Sequence, residues 1–177
     1  MTTISATPRY LRAIGAVAEL LARLRIDFFF AGSVARAAWL GGDVSCGSVD
    51  VVALLKPEQK SQVAMMAGNR GFRVDRDEVE KTEELDLVPL TFVDAEGDVR
   101  VHILVATNAL YGTMFGAARE ADVDGLAIKV PAREDLALLL ALAEDEAGVR
   151  ALASSPGFDR AAYNRKLTSI GIGSYVI

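Results

Sequence analysis

The chain has 177 residues, of which 51% are hydrophobic, with a formal net charge of −5 and a mean hydropathy of +0.27. That length suits one domain, or one domain with a small helical appendage, and the apolar fraction is ample for a core. The acidic balance argues against a basic nucleic-acid-binding surface, no run reaches the roughly 18 apolar residues of a membrane helix, and one cysteine with one histidine excludes an internal disulfide and a structural zinc site. The lone Cys46 fits a reducing, cytoplasmic setting. The N-terminal segment, broken by Arg12, Glu19, Arg23 and Arg25, reads as neither signal peptide nor membrane span.

Pro8 stands at a favourable first-turn position after Thr7, and Leu11, Ile14, Val17, Leu20, Leu21 and Leu24 recur at helical spacing, which predicts a helix over 8–25. Residues 27–31, "DFFFA", form a short apolar run ending at a glycine, hence a buried strand. Ser33 is placed to cap a helix running to Leu40. Gly41, Gly42, Ser45, Gly47 and Ser48 make a loop, and 49–55 is a second strand. Pro57 opens a helix that passes through Val63 and Met66 and ends near Gly68-Asn69. Residues 71–74 read as a short strand, and the highly charged 75–85 as a solvated loop or exposed helix. Strands at 87–93 and 99–105 flank "DAEGD", the clearest hairpin in the chain. A helix at 108–119, an extended stretch at 126–130, a helix over 132–152 behind Pro131, a break at 154–157 and a helix at 159–168 complete the pattern. The apolar tail "IGIGSYVI" is expected to dock on the body or on a partner. The expected architecture is an α/β (α+β) mixed sheet flanked by helices. Residues 1–130 form its core and 131–177 a C-terminal helical part packed on it, as one compact unit.

Strand alternation selects the residues that can carry chemistry. Ser48, Asp50, Val52 and Leu54 share one face of their strand, and Arg100, His102 and Leu104 share one face of theirs. If the two strands are neighbours, Asp50, His102 and Arg100 gather on one sheet face. The N–H groups that follow the Gly32-Ser33 turn would then stand nearby, able to hold a phosphate. Arg36, one turn into that helix, reads equally as a phosphate contact or a solvent-facing side chain. Histidine suits acid–base work near neutral pH, yet a lone His102 on a half-exposed hairpin face is more often inert. Asp50 after Gly47-Ser48 is itself more often a turn-capping carboxylate than a ligand. Cys46 has no evident neighbouring base to make it a nucleophile, and Trp39 and Phe28 to Phe30 read as core.

The succession of strand, Gly32-Ser33 turn, helix, loop and a strand carrying Asp50 resembles the nucleotidyltransferase superfamily related to DNA polymerase beta. It is most like the small bacterial nucleotidyltransferases, including antitoxin- and abortive-infection-type proteins. "VPAREDLALLLALA" is similar to the family's valine-proline lead-in and Glu-Asp-Leu helix, here Glu134, Asp135 and Leu136, and the resemblance covers residues 10–145. It implies a nucleotidyltransferase-like sheet and a cleft in which Gly32, Ser33 and Arg36 meet nucleotide phosphates. Asp50 would be the first metal-binding acid, with Mg2+ or Mn2+ positioning an NTP for nucleotidyl transfer.

The chain departs from that pattern where the metal chemistry lies. Val52 stands where the family has its second acid, His102 in "RVHILV" stands where the third belongs, and no lysine follows Glu-Asp-Leu over 136–143. Two-metal catalysis needs several oxygen ligands, and one carboxylate beside a valine does not supply them. The 75–86 segment (Asp75, Asp77, Glu78, Glu83, Glu84, Asp86) is the remaining source of a substitute acid. The expectation is therefore a degenerate member, a pseudoenzyme that keeps the cleft for nucleotide or phosphate binding, regulation or partner recognition. A protein partner or a homodimer built through the tail belongs to that expectation; a membrane does not. The alternative is an active metal-dependent nucleotidyltransferase that moves NMP from NTP to a protein, nucleic-acid or small-molecule acceptor. It would use Asp50, His102 and one further acid as catalytic residues, and His102 would favour a softer transition metal over magnesium.

Overall fold

The computed structural model describes residues 3–75, 86–107 and 109–171. Its elements are β1 (Thr3–Ala6), α1 (Pro8–Arg23), β2 (Phe28–Phe30), α2 (Gly32–Leu40), β3 (Asp43–Val44), β4 (Val49–Ala53), α3 (Pro57–Gly68), β5 (Phe72–Arg73), β6 (Leu87–Phe92), β7 (Val99–Val105), α4 (Ala109–Ala117), β8 (Arg119–Val123), β9 (Leu126–Val130), α5 (Arg133–Leu142), α6 (Glu146–Ala153) and α7 (Arg160–Ser169). They build two mixed sheets, ordered β2-β4-β7-β6-β5 and β3-β1-β8-β9, with helices packed around them. This is the mixed α/β architecture that the alternation of elements implies.

The larger sheet turns on β4 and β7, which pair in parallel while every other ladder in that sheet is antiparallel. Parallel neighbours need a crossover, and α3, β5 and β6 lie between them in the chain. Val49, Val51, Val101 and Ile103 are fully buried on one face, where α1 packs against β4 and β7. Helix α1 presents Tyr10, Ala13, Ile14, Val17, Leu20 and Leu21 to that core, and Arg25, at φ 55, turns the chain out of the helix toward β2. The other face carries α2 along β4 and α4, whose Phe115 ring lies 4.8 Å from that of Phe29. The expected hairpin is present: β6 and β7 pair from Leu87↔Leu104 to Phe92↔Val99. Its turn is fastened to α1 by Arg12, which donates to Asp94 Oδ2 at 2.7 Å and Oδ1 at 2.8 Å.

Of the smaller sheet only β9, the extended stretch expected at 126–130, is foreshadowed by the sequence pattern. β1 and β3 are four and two residues long, too short for periodicity to register, and they form only by pairing with each other and with β8. β3 lies inside the expected loop. The helix expected over 108–119 stops at Ala117, and residues 119–123 are instead β8, which a two-residue Asp124-Gly125 turn joins to β9. Both turn residues have positive φ, 46 and 88, the geometry that suits a tight hairpin.

Two further expectations are corrected. α2 starts at Gly32 with Ala31 as its N-cap and no side-chain cap, and Ser33 Oγ donates to Ser48 O at 3.1 Å instead. The helix expected over 132–152 is two helices. Glu144 adopts φ 58, and Asp145 caps α6 by accepting from Gly148 N at 2.9 Å, a local side-chain bond that competes with helix continuation. Segment 76–85 and residues 172–177 of the tail lie outside the described residues.

The Glu-Asp-Leu stretch proves to be a fastening for the C-terminal helices. Asp135 is fully buried with Lys166 Nζ of α7 at 2.6 Å from its Oδ1, and Glu134 accepts from Asp159 N at 2.8 Å. Arg133 lies over the Trp39 ring at 4.8 Å, and Trp39 Nε1 donates to Pro131 O, which ties α5 to α2.

Removing the ammonium with Lys166→Met leaves a buried carboxylate uncompensated. The expected loss is about 3 kcal/mol in urea unfolding, at the low end because Lys166 is partly exposed, with part recovered by adding Asp135→Asn. Arg12, helped by the Glu96 N–H, holds the Asp94 carboxyl down from 3.8 to about 2. A carboxyl depressed on folding stabilises the fold above its ordinary range and loses that contribution as pH falls toward the folded value. Asp94→Asn should therefore flatten the acid limb of a stability–pH curve between pH 3.8 and about 2.

Candidate functional site

A cleft of about 950 Å³ opens on the sheet face opposite α1. Its floor is written in the β4–β7 register, where Asp50 pairs with His102 and Val52 with Leu104. One wall is the start of α2 and the 41–48 loop, and the other is α5 with the turn into α6. The loop is held from three directions: Thr7 N donates to Val44 O at 3.0 Å, Tyr10 Oη to Gly47 O at 2.9 Å, and Ser33 Oγ to Ser48 O.

Asp50 is fixed by several contacts. Its Oδ1 accepts from Ser48 Oγ at 2.7 Å and lies 3.1 Å from His102 Nδ1, and its backbone oxygen accepts from Ala31 N at 2.8 Å. Its Oδ2 lies so near Gly32 that a Cβ built there would be 2.1 Å away, and Gly32 has φ +52. The site thus requires glycine twice over, for its left-handed backbone and for the absent side chain. Asp50 and His102 retain 25% and 34% of their side-chain exposure, so both are reachable from the cleft.

The residues singled out from sequence, Gly32, Ser33, Arg36, Asp50 and His102, all line this one cleft, with exposed Cys46 beside them. Arg100 is exposed and lies outside the lining. Arg36 is engaged, its Nη1 3.1 Å from Asp145 Oδ2. Sequence reasoning missed the walls. Asp145 is hidden in what reads as continuous helix, Asp43 in a two-residue strand, and Leu139, Leu142 and Tyr111 sit on helices whose cleft-facing side no motif marks. Burial raises the Tyr111 phenol above its usual value, with Asp86 adding to the shift, so Tyr111 enters the cleft as a neutral hydroxyl.

The donor set does not fit a pair of hard cations. Around Asp50 stand a histidine, a serine hydroxyl and the apolar Val52 and Leu104. Among the described residues no three His, Cys, Asp or Glu side chains come together as a metal site, whereas magnesium demands an octahedron of oxygens. Asp86 pairs with Lys60 at 3.2 Å and is not in the lining. Asp77, Glu78, Glu83 and Glu84 lie outside the described residues.

No family model matches the chain, and no curated protein matches its sequence. Solved structures do resemble it. The lincomycin-bound lincosamide antibiotic adenylyltransferase LnuA superposes with a TM-score of 0.55 at 11% identity, over 84% of this chain and 98% of that one. ANT(2")-Ia in complex with adenylyl-2"-tobramycin superposes with a TM-score of 0.55 at 12% identity, over 90% and 95%. Likeness at such identity establishes the fold: the chain is folded as a nucleotidyltransferase, as the sequence resemblance implied. No helix among the described residues is long and apolar enough to cross a membrane.

Gly32→Ala should cost about 2 kcal/mol or more from the left-handed backbone alone, read by chemical denaturation. Adding Asp50→Ala should recover part of the loss, because it removes the carboxylate that the new methyl strikes; purely additive losses would contradict the close approach.

Proposed function

We propose that this chain uses the nucleotidyltransferase fold as a binding cleft, serving regulation or partner recognition, and does not perform two-metal nucleotidyl transfer. The observation that carries this reading is the Val52↔Leu104 pair lying next to Asp50↔His102. The resembling family gathers its divalent ions with a second and a third carboxylate on that sheet face; Val52 and His102 stand at those positions here, with the apolar Leu104 beside them. The electrostatics agree. A phosphate set on the Gly32-Ser33 N–H groups meets the Asp50 carboxylate with no metal charge between them, and Arg36 must leave Asp145 to reach it. Nucleotide affinity through Gly32, Ser33 and Arg36 is accordingly weak in this reading.

A second reading has one observation in its favour: Asp50 and His102 stand in contact at 3.1 Å, so a carboxylate–imidazole pair faces the cleft. In that reading the protein is an active nucleotidyltransferase that binds a transition metal through Asp50 and His102, with an acid supplied from elsewhere.

Incubation of the full chain with each α-labelled NTP, magnesium or manganese, and protein, RNA or small-molecule acceptors separates the two. The first reading expects no label transferred above the level of an Asp50→Ala variant. Metal-dependent transfer that vanishes in Asp50→Ala would establish the second.

A further inference from the structure

Six large apolar side chains are exposed among the described residues, and three of them, Leu40 at 39%, Leu104 at 36% and Leu142 at 47%, line this single cleft. Apolar surface gathered in a concavity of this volume marks a small-molecule site more than a protein surface left over by chance. The charge in the cleft is one-sided. Among the described residues Asp43, Asp50 and Asp145 line it against one cation, Arg36, which already sits on Asp145. Among the described residues, Asp43 and Asp50 have no lining cation opposite them, His102 being the other titratable group at Asp50.

We propose that the cleft binds a small organic cation, an amine carried on an apolar or aromatic body, with its ammonium on Asp50 and its body over Val52 and Leu104. A metal ion asks for several oxygens and finds one carboxylate; an ammonium needs only that carboxylate for a charge-assisted hydrogen bond. Asp50 Oδ2 faces the Gly32 turn while Oδ1 takes the Ser48 and His102 contacts, so the carboxylate is held in place before any ligand arrives. An apolar body laid on this floor would displace water beside the carboxylate and strengthen the ion pair, and the same uncompensated carboxylates repel a triphosphate. The proposal rests on the reading that Asp50 does not hold catalytic metal.

Calorimetric titration of the full chain in EDTA with 4-phenylbutylamine, 4-phenylbutanol and 4-phenylbutyrate holds the apolar body constant and changes only the charge. The amine is expected to bind about tenfold more tightly than the alcohol, the difference one charged hydrogen bond makes, with the carboxylate weakest. Asp50→Asn should erase the preference for the amine and leave the alcohol unchanged. Asp43→Asn, on the exposed rim, should reduce the preference less. No amine binding, equal affinity for amine and carboxylate, or displacement of the amine by ATP would overturn the proposal. Because EDTA removes metal, these outcomes are independent of the transfer assay. Amine preference alongside metal-dependent transfer unseats the functional reading alone, and its absence alongside a silent transfer assay unseats this inference alone.

Discussion

The Asp50 carboxylate packs against the bare Cα of Gly32, so closely that a methyl group there would lie 2.1 Å from Oδ2. That approach joins the end of β2, the first turn of α2 and the start of β4, and the Ala31 N–H to Asp50 O bond at 2.8 Å closes the same junction through the backbone. A left-handed backbone is costly for a residue with a side chain, and a side chain here would also occupy the space the carboxylate fills, so the junction depends on glycine at position 32. The rest of the site is referred to it. Ser48 and His102 are positioned on the other oxygen of the same carboxylate, and Ser33, freed from capping, reaches across to the loop that forms the rim.

The parallel β4–β7 ladder then decides what surrounds that carboxylate. Because side chains alternate in steps of two, Asp50 shares its face with Val52, His102 with Leu104, and the floor is half polar and half apolar by register. The opposing wall is supplied by α5, whose position depends on the buried Asp135–Lys166 pair and on Trp39 bonded to Pro131. A buried carboxylate of this kind stabilises only while its partner is present, so the integrity of the cleft is tied to an ion pair outside it. The result is an acidic, apolar-floored cavity on a fold shared with a lincomycin-bound adenylyltransferase and with a second protein in complex with adenylyl-2"-tobramycin.

What the sequence disclosed and what it withheld divide along physical lines. Period and register were legible: the helix at α1, the β6–β7 hairpin and the shared face of Asp50, Val52, His102 and Leu104 all follow from local patterns that burial reinforces. The Gly32-Ser33 turn is legible because it ends an apolar run, and Asp50 because it is the one charged residue within another. Elements stabilised by partners far along the chain were not. β1, β3 and β8 have no local signature, and the break at Glu144–Asp145 is hidden by residues that otherwise favour a helix. That break puts Asp145 opposite Arg36, so the charge balance of the cleft was invisible while its floor was not. The role of Glu134 and Asp135 also needed the structure, since their anchoring partners Asp159 and Lys166 lie beyond the resembling segment.

The decisive property is whether Asp50 gathers divalent metal with a nucleotide. A crystal soaked with manganese and a non-hydrolysable NTP, with data collected at the manganese edge, addresses this directly. No anomalous density is expected at Asp50. A manganese ion bridging the Asp50 carboxylate and the nucleotide phosphates would contradict that expectation.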